Sequence, residues 1–162
     1  MSSGVEIRRA SPEEADALTR IAIAAKRHWG YPERWMERWG EILTFVPQFV
    51  RDSDVYAAVS GGEPFAFYAL TETGRKLMLE HLWVSPDWIG SGVGRLLFEH
   101  AMNKAASRGA KRVEIVADPN AEGFYLRMGA ARRRERLRDR GPKTRAAADG
   151  GGVVEARRGG VG

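Results

Sequence analysis

The chain has 162 residues, 43% of them hydrophobic and 29% charged, with no cysteine and a formal net charge of +5. This length and balance suit one α/β domain with a real core, while the lack of cysteine excludes a disulfide framework, a thiolate metal site and a cysteine nucleophile. The charge is uneven: residues 1–130 hold 16 Lys and Arg against 17 Asp and Glu, a net of −1, and residues 131–162 hold 10 against 4, a net of +6.

The basic excess is therefore confined to the C-terminal stretch, and no basic stripe of the kind that tracks a nucleic-acid backbone precedes it. Nothing approaches the roughly 20 apolar residues of a membrane span, and the first residues lack a basic segment followed by an apolar run. A cytoplasmic protein without membrane attachment is the expectation.

In chain order, Val5 to Ala10 alternates and predicts a first strand. Ser11-Pro12-Glu13-Glu14 is a helix start, with Ser as N-cap, Pro in the first turn and two carboxylates facing the helix dipole. Ala15, Leu18, Ile21, Ala22 and Ala25 follow at the spacing of a buried helical face. Gly30-Tyr31-Pro32 ends this helix, and a second begins at Pro32-Glu33, carries Trp35, Met36, Trp39, Ile42 and Leu43, and is closed by Val46-Pro47. Four aromatics, Trp29, Tyr31, Trp35 and Trp39, lie within a dozen residues here. They pack helices onto the sheet, and Trp29, Tyr31 and Trp35 are also candidates to line a substrate site.

Asp54 to Ser60, Phe65 to Thr71 and Lys76 to Val84 read as three successive strands joined by turns at Gly61-Gly62-Glu63-Pro64 and Thr73-Gly74. Ser85-Pro86 stops the third of these, and Gly90-Ser91-Gly92-Val93-Gly94 follows at once. Glycines at alternate positions let backbone N–H groups turn outward, and the helix opening near Val93 adds unpaired donors and the positive end of its dipole. A phosphate suits such a place. No Gly-Lys-Ser/Thr follows, so it is not a P-loop, and Arg95 stands where the third glycine of a dinucleotide fingerprint belongs. The helix runs to Ser107-Arg108 with Gly109 as its C-cap, Arg112 to Val116 is a strand, and Asp118-Pro119-Asn120 begins a last helix through Tyr125 and Met128 to Gly129. The strand-helix-strand unit from Lys76 to Val116 predicts a right-handed crossover with parallel strands.

The order is thus β-α-α-β-β-β-α-β-α. Together with Leu82-Trp83-Val84-Ser85-Pro86, Gly90-Ser91-Gly92-Val93-Gly94-Arg95-Leu96-Leu97 and Asn120-Ala121-Glu122-Gly123-Phe124-Tyr125-Leu126-Arg127-Met128-Gly129-Ala130, it resembles the GNAT superfamily of acetyl-coenzyme A-dependent N-acetyltransferases. The resemblance covers nearly all of the chain up to Ala130. It implies an α/β fold with a mixed, mostly antiparallel central sheet flanked by helices. Where the family usually has Arg or Gln, this chain has Ile89, so one side-chain contribution to the loop is missing while the backbone donors remain.

The implied cosubstrate is acetyl-coenzyme A (acetyl-CoA). Its diphosphate would accept bonds from the N–H groups of Gly90, Ser91, Gly92, Val93, Gly94 and Arg95, beside Ile89. Its pantetheine arm would pair with the backbone of Leu82, Trp83 and Val84, where in family members the fourth and fifth strands splay apart. Asn120 and Phe124 fall at further positions that relatives use near the cofactor, although Asn120 also reads as an N-cap. Backbone amides near Leu82 and Trp83 are candidates to stabilise the oxyanion.

Acetylating an amine needs a base, because an alkylammonium has no lone pair. Glu80 is the candidate: on a two-residue period it shares a face with Met78, Leu82 and Val84, and it matches a catalytic glutamate of some polyamine-acetylating relatives. His81, on the opposite face, reads as a packed histidine and is the lesser candidate. The resemblance makes Tyr125 the proton donor to the leaving thiolate. His28 and His100 look incidental, and three scattered histidines do not make a metal site.

Past Tyr125 there is no further aromatic residue. Relatives add two strands there, but this sequence is basic and rich in Gly, Ala and Arg. The reading is therefore a GNAT domain over residues 1–137 and a tail over 138–162 that is mostly disordered, with brief strands at Ala131 to Leu137 and at Val153-Val154. An incomplete sheet and impaired activity would follow. The favoured function is N-acetylation of a small-molecule or peptide amine, with a homodimer plausible. The alternatives are a non-catalytic acyl-CoA-binding module and nucleic-acid binding through the tail, the latter disfavoured.

Overall fold

The computed structural model describes residues 5–74, 76–132 and 152–157. The chain folds as two compact units, Met1–Leu70 with His81–Ala101, and Thr71–Glu80 with Met102–Gly162.

In the first unit, strand β1 (Val5–Arg9) runs antiparallel to β2 (Asp54–Ser60), Val5 facing Ser60 and Arg9 facing Tyr56. Strand β3 (Glu63–Thr73), which leaves this unit after Leu70, in turn runs antiparallel to β2, with a bulge between Ala58 and Val59. The first helix forms as its sequence dictates. Ser11 accepts from the Glu13 N–H while the Glu14 carboxylate takes the Ser11 N–H, so two N-terminal donors are satisfied locally. The short Pro12–Glu14 turn then leads into α1 (Ala15–His28). Its Ala15, Leu18, Ile21, Ala22 and Ala25 are buried as the spacing predicts, and so is Lys26.

The second helix, α2 (Glu33–Arg38), is shorter than expected, and Val46-Pro47 does not close it. Pro47 instead opens a further helix, α3 (Pro47–Asp52). A proline in the first turn loses no helical hydrogen bond and arrives with its φ preset, so it starts a helix as readily as it stops one. Phe45, just before it, meets Phe67 of β3 edge-on at 5.1 Å and anchors this corner in the core with Leu43, Val50 and Val55.

Strand β4 (Lys76–Val84) starts in the second unit and finishes in the first. After Val84 comes helix α4 (Val93–Ser107), ended by Gly109 at φ 81° as expected of a C-cap. In the second unit β4 lies parallel to β5 (Arg112–Ala117) through Leu77–Val113, Met78–Glu114 and Leu79–Ile115. Strand β5 buries Val113, Ile115 and Ala117 on one face.

After α5 (Glu122–Arg127) come the two-residue β6 (Ala131–Arg132) and then β7 (Gly152–Arg157). Strand β7 pairs with β5 along its whole length, from Arg112–Arg157 to Ala117–Gly152, and with β6 on its other side. It is longer than the expected Val153-Val154 fragment, and it supplies the sheet order β4-β5-β7-β6 that the sequence left in doubt. The rest of the expected tail, 138–151 and 158–162, and most of the expected strand to Leu137 lie outside the described residues. No helix among the described residues is long and apolar enough to cross a membrane.

Candidate active site

The ladder between β4 and β5 covers three positions and its last pair is Leu79–Ile115, whereas β4 itself continues through Glu80 to Val84. Beyond Val84 the chain makes a tight connection. The Ser85 N–H donates to Phe65 O at 2.8 Å, the Trp88 N–H to Ser85 O at 2.9 Å and the Ser91 N–H to Trp88 O at 3.2 Å. Trp88 stacks on Phe65 with ring centroids 3.9 Å apart, which fixes the turn to β3.

From there the backbone passes through Gly90 at φ 85° and Gly92 at φ 89°. A Cβ at either position would meet no atom within 4 Å, so conformation, not crowding, demands glycine: an L-residue there pays the left-handed penalty. Of the donors the sequence offered for a diphosphate, the Ser91 N–H goes to Trp88 O and the Val93 N–H rests on Ser91 Oγ at 3.4 Å. The ladder of α4 begins with the Leu96 N–H on Gly92 O at 3.2 Å. The N–H groups of Gly94 and Arg95 come before that first bond and lie at the positive end of the helix. The Arg95 guanidinium is exposed and paired with Glu99 one turn on, at 3.0 Å. Ile89 is 47% exposed.

Also in the first unit, the aromatic segment divides. Trp39 is buried in the core, Tyr31 packs against it edge-on at 4.8 Å, and Trp35 stacks on Tyr31 at 5.9 Å. Trp29 and Trp35 are the exposed members. Sequence reasoning missed Lys26. Its side chain is only 3% exposed and its Nζ sits 4.0 Å from the Trp39 ring centre, 5.0 Å from that of Tyr31 and 5.9 Å from that of Trp83. His81 is buried, as expected of the packed face of β4. It lies edge-on to Phe45 at 4.8 Å, and its Nδ1 accepts from the Trp83 indole N–H at 3.1 Å. His100 is less incidental than it looked: its Nδ1 meets the Tyr68 hydroxyl at 2.7 Å.

In the second unit Glu80 is half-buried, alternating with the buried Leu79. Tyr125 is 3% exposed, and burial, reinforced by the charge of Asp118, pushes its phenol well above the ordinary range. The proton therefore stays on oxygen throughout the physiological range. Phe124, half-buried, meets the Tyr125 ring edge-on at 5.2 Å. Asn120 does not cap α5, because Ala121 occupies that position without a side-chain bond. Asp118 does the local work instead, accepting from the Asn120 N–H at 2.8 Å and from its Nδ2 at 3.0 Å. Among the described residues no group of three or more His, Cys, Asp or Glu could hold a metal ion.

Comparison with known proteins adds three findings. The model of the acetyltransferase (GNAT) family matches residues 16–130. Peptidyl-lysine N-acetyltransferase YjaB of Salmonella typhimurium is 31% identical over 90 residues, 55% of this chain and 58% of that protein, so the match spans little more than half of the relative's length. Two solved structures share the fold. PaiA N-acetyltransferase from Thermoplasma acidophilum, in complex with coenzyme A, superposes with a TM-score of 0.76 at 18% identity over 97% of this chain and 99% of that one. A GNAT-family acetyltransferase from Brucella melitensis, in complex with acetyl-CoA, gives 0.65 at 20% identity over 96% and 88%.

Proposed function

Because the chain belongs to the GNAT family of acetyltransferases, we propose that it transfers the acetyl group of acetyl-CoA to a primary amine of a small molecule or peptide by direct attack. The observation that carries this reading is the run from the end of β4 to the start of α4: five residues of strand past the last β5 pair, then positive-φ glycines that deliver the chain to a helix N-terminus. Acetyl-CoA would supply an activated acyl carbon on a thiol leaving group. The Gly94 and Arg95 amides would hold its diphosphate, and the backbone of Leu82 to Val84 its pantetheine amides.

Glu80 then takes a proton from the incoming ammonium, freeing the lone pair, either directly or through a water. Tyr125 gives its proton to the departing thiolate. As an unionised phenol at neutral pH, it carries the proton that step needs. Trp29, Tyr31 and Trp35 form the acceptor side. A lysine-bearing peptide is the first acceptor to try, given the activity in the name of the Salmonella relative.

The test has two stages. Calorimetry of the full chain should detect acetyl-CoA binding; no heat with either acetyl-CoA or coenzyme A would remove the enzyme and leave the fold. Turnover on an amine panel should then fall by about 100-fold or more in Glu80→Gln and in Tyr125→Phe, the ordinary range for losing a general base or acid. An unchanged rate in either variant strikes that residue from the mechanism.

A further inference from the structure

Lysine is among the residues least often buried whole, because its ammonium loses water on entering the interior. Lys26 is buried on the apolar face of α1, and three aromatic rings from separate places in the sequence surround its ammonium. Tyr31 comes from the connection after α1, Trp39 from the end of α2 and Trp83 from the end of β4. The face of an aromatic ring is its negative side and indole is the strongest of them, so a cation 4.0 Å over Trp39 is held electrostatically.

The cluster also carries an oddity. The Trp39 indole N–H is buried and has no hydrogen-bond partner among the described residues. A position chosen only for packing would be better filled by a residue with no donor to strand, since an unsatisfied buried donor is costly. What an indole offers here, beyond bulk, is a face for the ammonium.

From this the geometry points to Lys26 as a positioning residue for the acceptor amine. Its ammonium gathers Tyr31 and Trp39 against Trp83, and through the Tyr31–Trp35 stack it sets the exposed Trp35 ring in place. The segment read as the acceptor side is thereby pinned to the strand end read as the donor side. The inference rests on the proposed acetyl transfer and adds a residue that neither touches the reacting atoms nor belongs to the glycine loop.

The test uses the full chain, saturating acetyl-CoA and a peptide with one lysine as acceptor. Lys26→Met keeps the length and apolar stem but removes the charge, and the KM for the peptide should rise about ten-fold with kcat and acetyl-CoA affinity nearly unchanged. Lys26→Arg, which restores a cation over the rings, should recover most of the loss. Should Lys26→Met fail to fold, Trp39→Phe weakens the same interaction while removing the stranded N–H, and it should raise the peptide KM by a smaller factor. A peptide KM that stays at the wild-type value, or an acetyl-CoA affinity that falls by the same factor as the peptide's, overturns the proposal. Wild type that binds acetyl-CoA but acetylates no amine overturns it together with the functional reading, whereas active wild type with an indifferent Lys26→Met overturns this inference alone.

Discussion

Two helices of the first unit begin in opposite ways. Ahead of α1, Ser11, Glu14 and Arg8 form a closed set: the Glu14 carboxylate accepts the Ser11 N–H at 2.9 Å and both terminal nitrogens of the Arg8 guanidinium at 2.8 and 2.9 Å. Ahead of α4 stands Gly-Ser-Gly, with one loose contact from Ser91 Oγ and no acidic residue in the first turn. The first start spends its donors on its own side chains. The second withholds the carboxylate that would cap it, and the dipole and leading amides stay available to an anion from outside. On the proposed reading, α4 serves an outside anion because its own side chains leave its start uncapped.

The sharpest way to break the contrast is to give α4 the start that α1 has. Gly92→Asp places a carboxylate at its N-terminus, where it competes with and repels a diphosphate, and it forces an L-residue to φ 89°. We expect acetyl-CoA affinity by calorimetry to fall by about 100-fold or more. Gly90→Ala adds no charge and no clash, only the left-handed strain, so the loss should be about 10-fold. An affinity unaffected by both changes would mean that this loop does not hold the cosubstrate.

Smaller effects come from the capped start. Ser11→Ala should cost about 1 kcal/mol of stability and leave acetyl-CoA affinity where it was, the reverse of the glycine variants. The pH dependence goes the same way. The Arg8 hydrogen bond holds the Glu14 carboxyl below its usual range, against an opposing push from desolvation. A group depressed in the folded state lends stability above its unfolded value and loses it as pH falls through the folded one. The melting-temperature gap between wild type and Glu14→Gln should accordingly be widest near neutrality and close as the pH falls below about 4. A gap that persists unchanged at acid pH would assign the stabilisation to shape rather than charge. Smallest of all, Ser91→Ala should shift acetyl-CoA affinity by no more than about two-fold, since a contact at 3.4 Å is at the edge of bonding distance.

What could be read from the sequence follows from how locally each feature is determined. The Ser11 start, the α1 stripe, the strands from β1 to β5 and the glycine loop depend on residues a few positions apart, so their spacing announces them. Proline has two local meanings, and at Pro47 the sequence carried no sign of which applied. Strand β7 was underestimated because its partner β5 lies some 40 residues earlier in the chain and its own composition is poor in strand-forming side chains. The Lys26 cluster was invisible for a similar reason. It joins residues 26, 31, 39 and 83, and a lysine on a helix ordinarily snorkels to water. Glu80 was legible as a candidate from alternation and from the family resemblance, Tyr125 from the resemblance, and Asn120 does not cap α5 because Asp118, two residues earlier, takes the turn's donors first.

The place of β7 has a temporal consequence. It is wedged between β5 and β6, although both are synthesised before it. One flank of β5 thus stays open, a row of unmet amides and carbonyls, until residues 152–157 leave the ribosome and slot in. A nascent chain halted short of that point would carry an adhesive strand edge, and completion of the second unit must wait for a contact made across some 40 residues of sequence, the kind that closes slowly.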